Sequence, residues 1–318
     1  MIAAAGWWIA IVELWPASSR PYIGGSQHNS ILELTLGYNG FGRLSGNETG
    51  PVGGGGGKGG GNWGATGLFR LFNSEIGGQI AWLLPASIAL LALGLWFRRS
   101  AGRTDRQLSG LIVWGGWLLV TGLTFSFMAG IFHAYYTVAL APAIAAVVAI
   151  GASILWEHRK SHVATLGAAF VIAMTTAMSY TLLGRSASFV PWLKYVVVIA
   201  GVAAALFLVL HRYLPRRAVA AVAVATIISM LAGPAAYAVD TASTPHTGSI
   251  PTAGPSSGGG RGGPGGVGQP PGGMTGRPGQ TSQGRAGQPV QGQPTTGQGS
   301  TGGLLTGSQS TSTITKLL

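Results

Sequence analysis

Residues 79–97 read QIAWLLPASIALLALGLWF, an apolar run that is followed at once by the basic stretch RRSAGRTDR at 98–106. A helix needs roughly 20 mainly apolar residues to cross about 30 Å of hydrocarbon, and this run has that length and composition. Arginines at the end of such a run are typical of a helix that stops at a membrane surface. The stretch therefore predicts a transmembrane helix.

The composition of the whole chain also indicates a membrane protein. Of its 318 residues, 47% are hydrophobic and 8% are charged, whereas a soluble domain typically has about 25% charged residues. The net charge of +12 does not indicate nucleic-acid binding, because nine of the 19 Lys and Arg residues lie in three short clusters between apolar segments. A basic nucleic-acid site is instead concentrated on one solvent-facing surface. We therefore expect the lipid bilayer as a partner and no nucleic acid.

Six apolar segments qualify or nearly qualify as membrane spans, and a shorter seventh segment starts the chain. They predict an all-α polytopic membrane protein with six to seven transmembrane helices, because a helix satisfies its backbone polar groups internally in lipid. No segment has the alternating pattern of a transmembrane β-strand. The six segments are 79–97, 108–132, 137–156, 163–183, 192–210 and 218–239, and the seventh is 2–16.

The basic clusters predict the orientation of the chain in the membrane. They follow the first, third and fifth full spans, so they lie on every second connection, and connections rich in Lys and Arg face the cytoplasm. The long loop before the first full span and the tail after the last one then face outward. The clusters are Arg98, Arg99, Arg103 and Arg106, then Arg159 and Lys160, then Arg212, Arg216 and Arg217.

On these assignments the chain has four parts. Residues 1–17 form a partial transmembrane helix, residues 18–78 a long extracytoplasmic loop, and residues 79–239 a six-helix transmembrane domain. Residues 240–318 are rich in Gly, Pro, Ser, Thr and Gln and have almost no large apolar residues. Such a segment cannot bury enough surface to offset chain entropy, so we expect a disordered extracytoplasmic tail.

The long loop is dense in side chains that can hydrogen-bond a polar ligand. Arginine suits a phosphate because its planar guanidinium can make two charge-assisted hydrogen bonds, and the several glycines of the loop permit close approach of backbone to ligand. The alternative is a surface or re-entrant loop that these same hydrogen bonds hold together. The candidate substrate-binding residues of the loop are Arg20, Tyr22, Gln27, Asn29, Glu33, Tyr38, Asn39 and Arg43.

A second set of candidates lies at the outer end of a span, where residues 133–136 read HAYY. His133, Tyr135 and Tyr136 can hydrogen-bond a phosphate or a sugar there. The alternative is an interfacial aromatic belt, in which Tyr rings sit at headgroup level. Six histidines without a tight cluster or a metal-binding spacing do not predict a metal site.

Several strings of the chain resemble one family of membrane enzymes. They are RPYIGGS at 20–26, GYNGFGR at 37–43, RLFNSEIGGQ at 70–79 and HAYYTVALAPA at 133–143, with YAVD at 237–240 and HTGSIP at 246–251 near the end of the last span. The strings resemble actinobacterial polyprenyl-phosphate-sugar glycosyltransferases of glycosyltransferase family 39, relatives of aminoarabinose transferase and the protein O-mannosyltransferases. The resemblance covers residues 1–255.

The resemblance implies a GT-C fold of eleven or more helices that transfers a sugar from a polyprenyl-phosphate donor to an acceptor on the outer face of the membrane. Mannose is the sugar that it implies, and it leaves a divalent metal open as a cofactor. An acidic residue in the first outer loop assists catalysis in the family, and we expect it upstream of Met1, so the catalytic residue is unknown here. The chain then corresponds to the C-terminal half of such an enzyme and lacks a further soluble domain.

The chemistry expected at the donor assigns roles to the candidate residues. Arg20 or Arg43, with Tyr135 or Tyr136, would stabilise the leaving phosphate, and Glu33 and Asn39 would bind sugar hydroxyls. The alternative function is a non-enzymatic membrane scaffold or carrier whose outer loop binds a partner. A transporter is a third interpretation, which the scarcity of ionisable residues inside the spans disfavours.

Overall fold

The structure is a computed structural model that describes residues 2–16, 18–47, 65–210, 216–244 and 252–255. Within these ranges the regular structure is entirely helical, and none of the described residues forms a β-strand. The all-α class that the apolar segments predict is therefore confirmed.

The described part contains nine α-helices, which are linked in places by helical turns of other types. Residues Glu33–Phe41 form a π-helix, and Arg70–Phe72 and Ala134–Leu140 form 3₁₀ turns. The α-helices are α1 (Ile2–Leu14), α2 (Gly42–Ser45), α3 (Gly77–Ile80), α4 (Leu84–Phe97), α5 (Arg106–Phe127), α6 (Ala141–Glu157), α7 (His162–Leu183), α8 (Leu193–Leu210) and α9 (Arg216–Ser243).

Each of the six predicted full spans overlaps one of the helices α4 to α9. Five helical segments of the described chain are long and apolar enough to cross a membrane, and α4 is a shorter apolar helix of 14 residues. The prediction of six to seven spans thus corresponds to five full-length spans and two shorter helices, α1 and α4. The five segments are Arg106–Phe127, Ala134–Glu157, His162–Leu183, Leu193–Leu210 and Ala220–Ser243.

The helix boundaries differ most from the predicted ones on either side of α4 and α5. Helix α4 begins at Leu84 rather than at residue 79, because the chain before it forms the short helix α3 and a turn. Helix α5 ends at Phe127 because Met128 adopts an extended conformation. A 3₁₀ turn then leads into α6, which has a proline in its first turn, a position where a proline costs no hydrogen bond.

Consecutive long helices run in alternating directions. At one end of the bundle, Arg185 after α7 donates to the carbonyls of Phe72 and Asn73, which precede α4. At the other end, Arg98 after α4 contacts Glu157, the last residue of α6. We call the first the loop end, which also includes residues 128–136, and the second the basic end, which includes residues 98–106 and 157–161.

Small residues allow the helices to pack closely. A side chain at Gly151 of α6 would meet Leu90 of α4, its Cβ lying 2.7 Å from the Leu90 Cβ. Gly201 of α8 likewise leaves room for a hydrogen bond of 2.8 Å between the hydroxyls of Thr176 on α7 and Ser229 on α9. Close backbone approach and hydroxyl pairs of this kind are typical of helix association in membranes.

The outer faces of the bundle are apolar, as contact with lipid requires. On α5 the large side chains Ile112, Val113, Leu119 and Val120 are all exposed. An apolar face of this extent is unusual in a soluble protein and fits a hydrocarbon environment.

The chain beyond the last helix returns to the bundle. Helix α9 ends at Ser243, a few residues after the boundary at 240 that the composition suggests. Ala253 and Gly254 then contact Gln79, Tyr237 and Thr241. Residues 256–318, which carry most of the predicted disordered tail, lie outside the described residues.

Candidate functional site

Arg43 and Leu44 of the long loop hydrogen-bond to the turn between α5 and α6 at the loop end. The carbonyl of Arg43 accepts a hydrogen bond of 2.8 Å from the backbone N–H of Gly130, and the carbonyl of Leu44 accepts one of 3.1 Å from Ala129. The Arg43 guanidinium donates to the Ile131 carbonyl at 3.4 Å. These contacts join two segments that are 88 positions apart in the sequence.

An aromatic cluster lies in this turn and continues into the following 3₁₀ segment. The His133 ring stacks on Tyr135, with ring centroids 5.4 Å apart and ring planes 8° apart, and meets Tyr136 edge-on at 5.4 Å. Tyr135 and Tyr136 are themselves edge to face at 4.8 Å. The cluster therefore fixes the orientations of three side chains that can donate or accept hydrogen bonds.

A cavity of about 530 Å³ opens between the loop and this turn. Most of its wall is apolar, while Asn39, Arg43 and Tyr136 contribute polar groups. Arg43 also lies over the Tyr38 ring, with the guanidinium carbon 4.9 Å from the centroid. A cavity with a largely apolar wall and a few fixed polar groups is the usual form of a small-ligand site. The lining residues are Leu36, Asn39, Gly40, Phe41, Arg43, Leu44, Thr124, Phe125, Met128 and Tyr136.

Arg43 gives the site a positive charge that His133 does not share at neutral pH. Partial burial lowers the pKa of His133 below its ordinary value, and the charge of nearby Arg43 lowers it further. Each effect disfavours the imidazolium form. The site therefore offers one permanent cation together with a neutral imidazole that can donate or accept a hydrogen bond.

Arg20 lies in a different part of the loop, where its guanidinium donates hydrogen bonds to backbone carbonyls. Its guanidinium donates to the carbonyls of Asn29 at 2.8 Å and Trp15 at 2.8 Å, and also to that of Glu13. It lies 3.8 Å from the Glu13 carboxylate, and only 8% of its side chain is exposed. In this structure Arg20 holds the end of α1 against the first turns of the loop.

The candidates between residues 22 and 33 do not line the cavity either. Asn29, at a positive φ of 54°, accepts a hydrogen bond from the Ile23 N–H and belongs to the same framework as Arg20. Glu33 accepts from the His28 N–H at 2.9 Å. Tyr22 and Gln27 are exposed to solvent. The structure thus brings together Tyr38, Asn39, Arg43, His133, Tyr135 and Tyr136 and leaves Arg20, Tyr22, Gln27, Asn29 and Glu33 apart.

Arg70 holds the backbone beside the site in place, a role that the sequence did not predict. It is 3% exposed, and its guanidinium donates to the carbonyls of Phe125 at 3.2 Å and Met128 at 2.5 Å. The guanidinium carbon also lies 4.5 Å from the centroid of the Phe132 ring. Arg70 therefore fixes the end of α5 and the turn that carries His133. The available signal was a single arginine in the otherwise apolar stretch GLFRLF at 67–72.

Arg185 is a second supporting cation that the sequence analysis missed. It donates to the carbonyls of Phe72 and Asn73, both at 2.6 Å, and so joins the turn after α7 to the segment that precedes α4. Asn73 in turn accepts a hydrogen bond of 2.7 Å from the Ile76 N–H.

Among the described residues, no group of three or more His, Asp or Glu side chains is placed to hold a metal ion.

Comparisons with known proteins find two similar bacterial proteins. No family model matches the sequence, and no solved structure matches it. Two proteins of Bacillus subtilis (strain 168) are similar: "Putative mannosyltransferase YycA" is 32% identical over 220 residues, and "Putative mannosyltransferase YkcB" is 30% identical over 230 residues. Each match covers 45% of this chain and 32% of the relative. The chain thus matches about a third of the length of these relatives, and the similarity supports a glycosyltransferase family.

Proposed function

We propose that this chain is part of a membrane glycosyltransferase and that its loop end binds the donor, a mannose linked to a polyprenyl phosphate. The sugar would pass to an acceptor on the outer face of the membrane. The proposal draws on the similarity to the two mannosyltransferases, on the sequence resemblance to family 39, and on the cavity beside Arg43.

The observation that carries the proposal is a fixed cation on the rim of an apolar cavity. A polyprenyl phosphate joins a long hydrocarbon chain to an anion, so its binding site needs both kinds of surface. Leu36, Phe41 and Phe125 offer the apolar wall, and Arg43 offers a guanidinium that can donate two charge-assisted hydrogen bonds to a phosphate. Since Arg43 is held by Tyr38 and Ile131, it needs little ordering when the ligand binds.

The neighbouring polar groups suit the sugar. In the transfer step the acceptor hydroxyl forms a bond to the anomeric carbon while the bond from that carbon to the phosphate oxygen breaks, and the electron pair leaves with the phosphate. Arg43 would stabilise the charge that develops on the leaving phosphate. Asn39, His133 and Tyr136 would hydrogen-bond sugar hydroxyls or phosphate oxygens. The acceptor's proton would go to the acidic residue that the resemblance implies.

In this proposal, residues 20–33 of the loop position the site or contact the ligand at its edge. Arg20 and Asn29 would hold the loop in the shape that presents Tyr38, Asn39 and Arg43 to the donor. Tyr22, Gln27 and Glu33 remain candidates for contacts with the sugar or the acceptor. The outward orientation of the loop end rests on the basic clusters at the opposite end of the bundle.

The test is binding of a polyprenyl phosphate to the purified full chain in detergent, with the uncharged polyprenol as the comparison ligand. We expect the phosphate to bind at least about tenfold more tightly, since a charge-assisted hydrogen bond contributes roughly 1.5–3 kcal/mol. Arg43→Gln should remove most of that preference, and Arg103→Gln at the basic end should leave it intact. Equal binding of phosphate and alcohol by the unaltered chain would contradict the proposal.

A further inference from the structure

The basic end carries the same arrangement of two side chains twice. Just after the end of α4, the guanidinium carbon of Arg99 lies 4.7 Å from the centroid of the Trp96 ring. At the end of α6, the guanidinium carbon of Arg159 lies 4.9 Å from the centroid of the Trp156 ring. Each arginine also donates from Nη1 to the carbonyl of its own tryptophan, at 2.8 and 3.0 Å. Both guanidinium groups are therefore held against a ring instead of extending freely into solvent.

The two tryptophan–arginine pairs lie at the same height on neighbouring helices. Helices α4 and α6 run in the same direction and pack directly against each other, with Gly151 against Leu90. At their ends the Phe97 ring lies 4.7 Å from the His158 ring. The two helices therefore end at the same level, which places both tryptophan–arginine pairs at the basic end of the bundle.

Within the described part of the protein, the positive charges of these two arginines are not balanced by a carboxylate. Arg98, which lies between Trp96 and Arg99 in the sequence, forms ion pairs with Asp105 at 3.6 Å and with Glu157. Arg99 and Arg159 are exposed, and among the described residues neither makes an ion pair with a carboxylate. Of these three arginines, Arg98 is therefore balanced within the protein, whereas Arg99 and Arg159 remain available to an external anion.

The tryptophans indicate where that anion lies. Trp96 is 46% exposed and Trp156 is 59% exposed, and each lies where an apolar helix ends. Half-exposed indole rings at such positions sit at the level of lipid headgroups. A guanidinium held one turn further on then reaches the layer that contains the lipid phosphates. A soluble anion would not require the aromatic ring beside each cation.

We propose that the Trp96–Arg99 and Trp156–Arg159 pairs form a binding site for the phosphate of an anionic phospholipid at the basic end of the bundle. Each guanidinium donates hydrogen bonds to the headgroup phosphate, while the tryptophan beside it contacts the glycerol region and the start of the acyl chain. This site lies at the end of the bundle opposite to the cavity beside Arg43 and does not depend on the proposed glycosyl transfer.

The experiment measures retention of lipid by the purified full chain in detergent, using native mass spectrometry with equal amounts of phosphatidylglycerol and phosphatidylcholine. We expect the unaltered chain to retain phosphatidylglycerol preferentially. Arg99→Gln combined with Arg159→Gln should reduce this preference by roughly tenfold, as expected for the loss of two cations at a membrane surface. Because both side chains are exposed, the melting temperature should stay unchanged.

The matched control is Arg103→Gln combined with Arg106→Gln, which removes two charges from the same end without touching a tryptophan. We expect it to change the preference by less than about twofold. An equal loss in the control and in the first variant would show only a diffuse basic surface and would overturn the proposal. Trp96→Leu combined with Trp156→Leu keeps every charge and should weaken retention clearly, so unchanged retention would also overturn it.

A final arm separates the lipid from free phosphate. An excess of inorganic phosphate should leave most of the bound phosphatidylglycerol in place, because the lipid also contacts the tryptophans. If a small excess of inorganic phosphate displaces the lipid from the unaltered chain, the site is one for free phosphate and the lipid assignment is wrong.

Discussion

The side-chain amide of Gln79 exchanges two hydrogen bonds with the backbone of Ala253, 174 positions further along the chain. Its Nε2 donates to the Ala253 carbonyl and its Oε1 accepts from the Ala253 N–H, both at 2.9 Å. Beside this contact Gly254, at a φ of +79°, donates to the Thr241 hydroxyl at 2.7 Å. The start of the Gly- and Pro-rich region is therefore fastened to the loop end, although its composition predicts no contacts.

Replacing Gln79 by alanine should lower the stability of the loop end. The substitution removes two partly buried hydrogen bonds, which together contribute about 1–2 kcal/mol. Thermal unfolding of the chain in detergent should show a lower midpoint for Gln79→Ala. Gln27→Ala, at an exposed glutamine, is the control and should leave the midpoint unchanged. Identical midpoints for the two variants would mean that residues 252–255 contribute nothing to stability.

The long helices were predictable because a membrane span is marked by features that lie next to one another in the sequence. Each needs a long apolar run, and the basic residues at 98–106 and 157–161 mark where the runs stop. The start of α4 was not predictable in the same way. Residues 79–83 are as apolar as the helix that follows, and only the contacts of residues 70–80 with Arg185 and Tyr237 separate them from it.

The candidate site was predictable only in part, because an arginine can donate hydrogen bonds to backbone carbonyls as well as to a phosphate. Arg20 and Arg43 lie in similar glycine-rich surroundings, and nothing local to either residue distinguishes their roles. In the structure the difference arises from partners distant in sequence: Arg43 meets the turn at 129–131, whereas Arg20 meets the end of α1. Hydrophobic patterning carries no information about such pairings.

Arg70 is expected to be more important for folding than any other arginine of the loop end. It is buried, so Arg70→Met would leave the carbonyls of Phe125 and Met128 without their donor, at a cost of about 2–4 kcal/mol. Thermal unfolding should show a large loss of stability, whereas Arg103→Met, at an exposed site, should show none. A small effect at Arg70 would mean that the end of α5 holds its shape without this side chain.

Stability should fall as the pH drops below about 6.5, and His133 should contribute to that fall. Its pKa is depressed in the folded chain from an ordinary value of 6.5, because burial and Arg43 disfavour the imidazolium. Above 6.5 the imidazole is neutral in both states. Below pH 6.5 the unfolded chain binds a proton at His133 while the folded chain does not, so the free energy of unfolding declines until the pH reaches the folded-state pKa.

The measurement for His133 is the unfolding midpoint as a function of pH, for the unaltered chain and for His133→Gln. The variant should lose the decline that begins near 6.5. Glu33 contributes in a different window, because the His28 backbone N–H lowers the pKa of its carboxyl below 4.5 and that contribution is lost only at more acidic pH. An unchanged decline in His133→Gln would assign the effect to other groups.

The proposed orientation can be tested with single cysteines, since the chain has none of its own. Ser45→Cys lies at the loop end and should react with a membrane-impermeant maleimide applied to intact cells. Ser100→Cys lies at the basic end and should react only after the membrane is permeabilised. Both positions are exposed, so a difference in labelling reports the side of the membrane and not burial. Labelling of Ser100→Cys in intact cells would reverse the proposed orientation.

The last prediction separates the roles of Arg20 and Arg43 with the same substitution. Lysine keeps the positive charge but loses the planar fork that binds a phosphate or several carbonyls at once. Arg43→Lys should therefore weaken binding of a polyprenyl phosphate by about ten- to a hundredfold, which corresponds to roughly 1.5–3 kcal/mol, and should change stability little. Arg20→Lys should instead loosen residues 20–33 of the loop, because the carbonyls of Glu13, Trp15 and Asn29 are reached by separate nitrogens of the guanidinium, and a single ammonium nitrogen cannot reproduce that spacing. Limited proteolysis between residues 20 and 33 should detect that loosening, while phosphate affinity measured on the intact chain changes less than in Arg43→Lys. If Arg20→Lys weakens phosphate binding more than Arg43→Lys does, the phosphate lies at the end of α1 and not at the cavity.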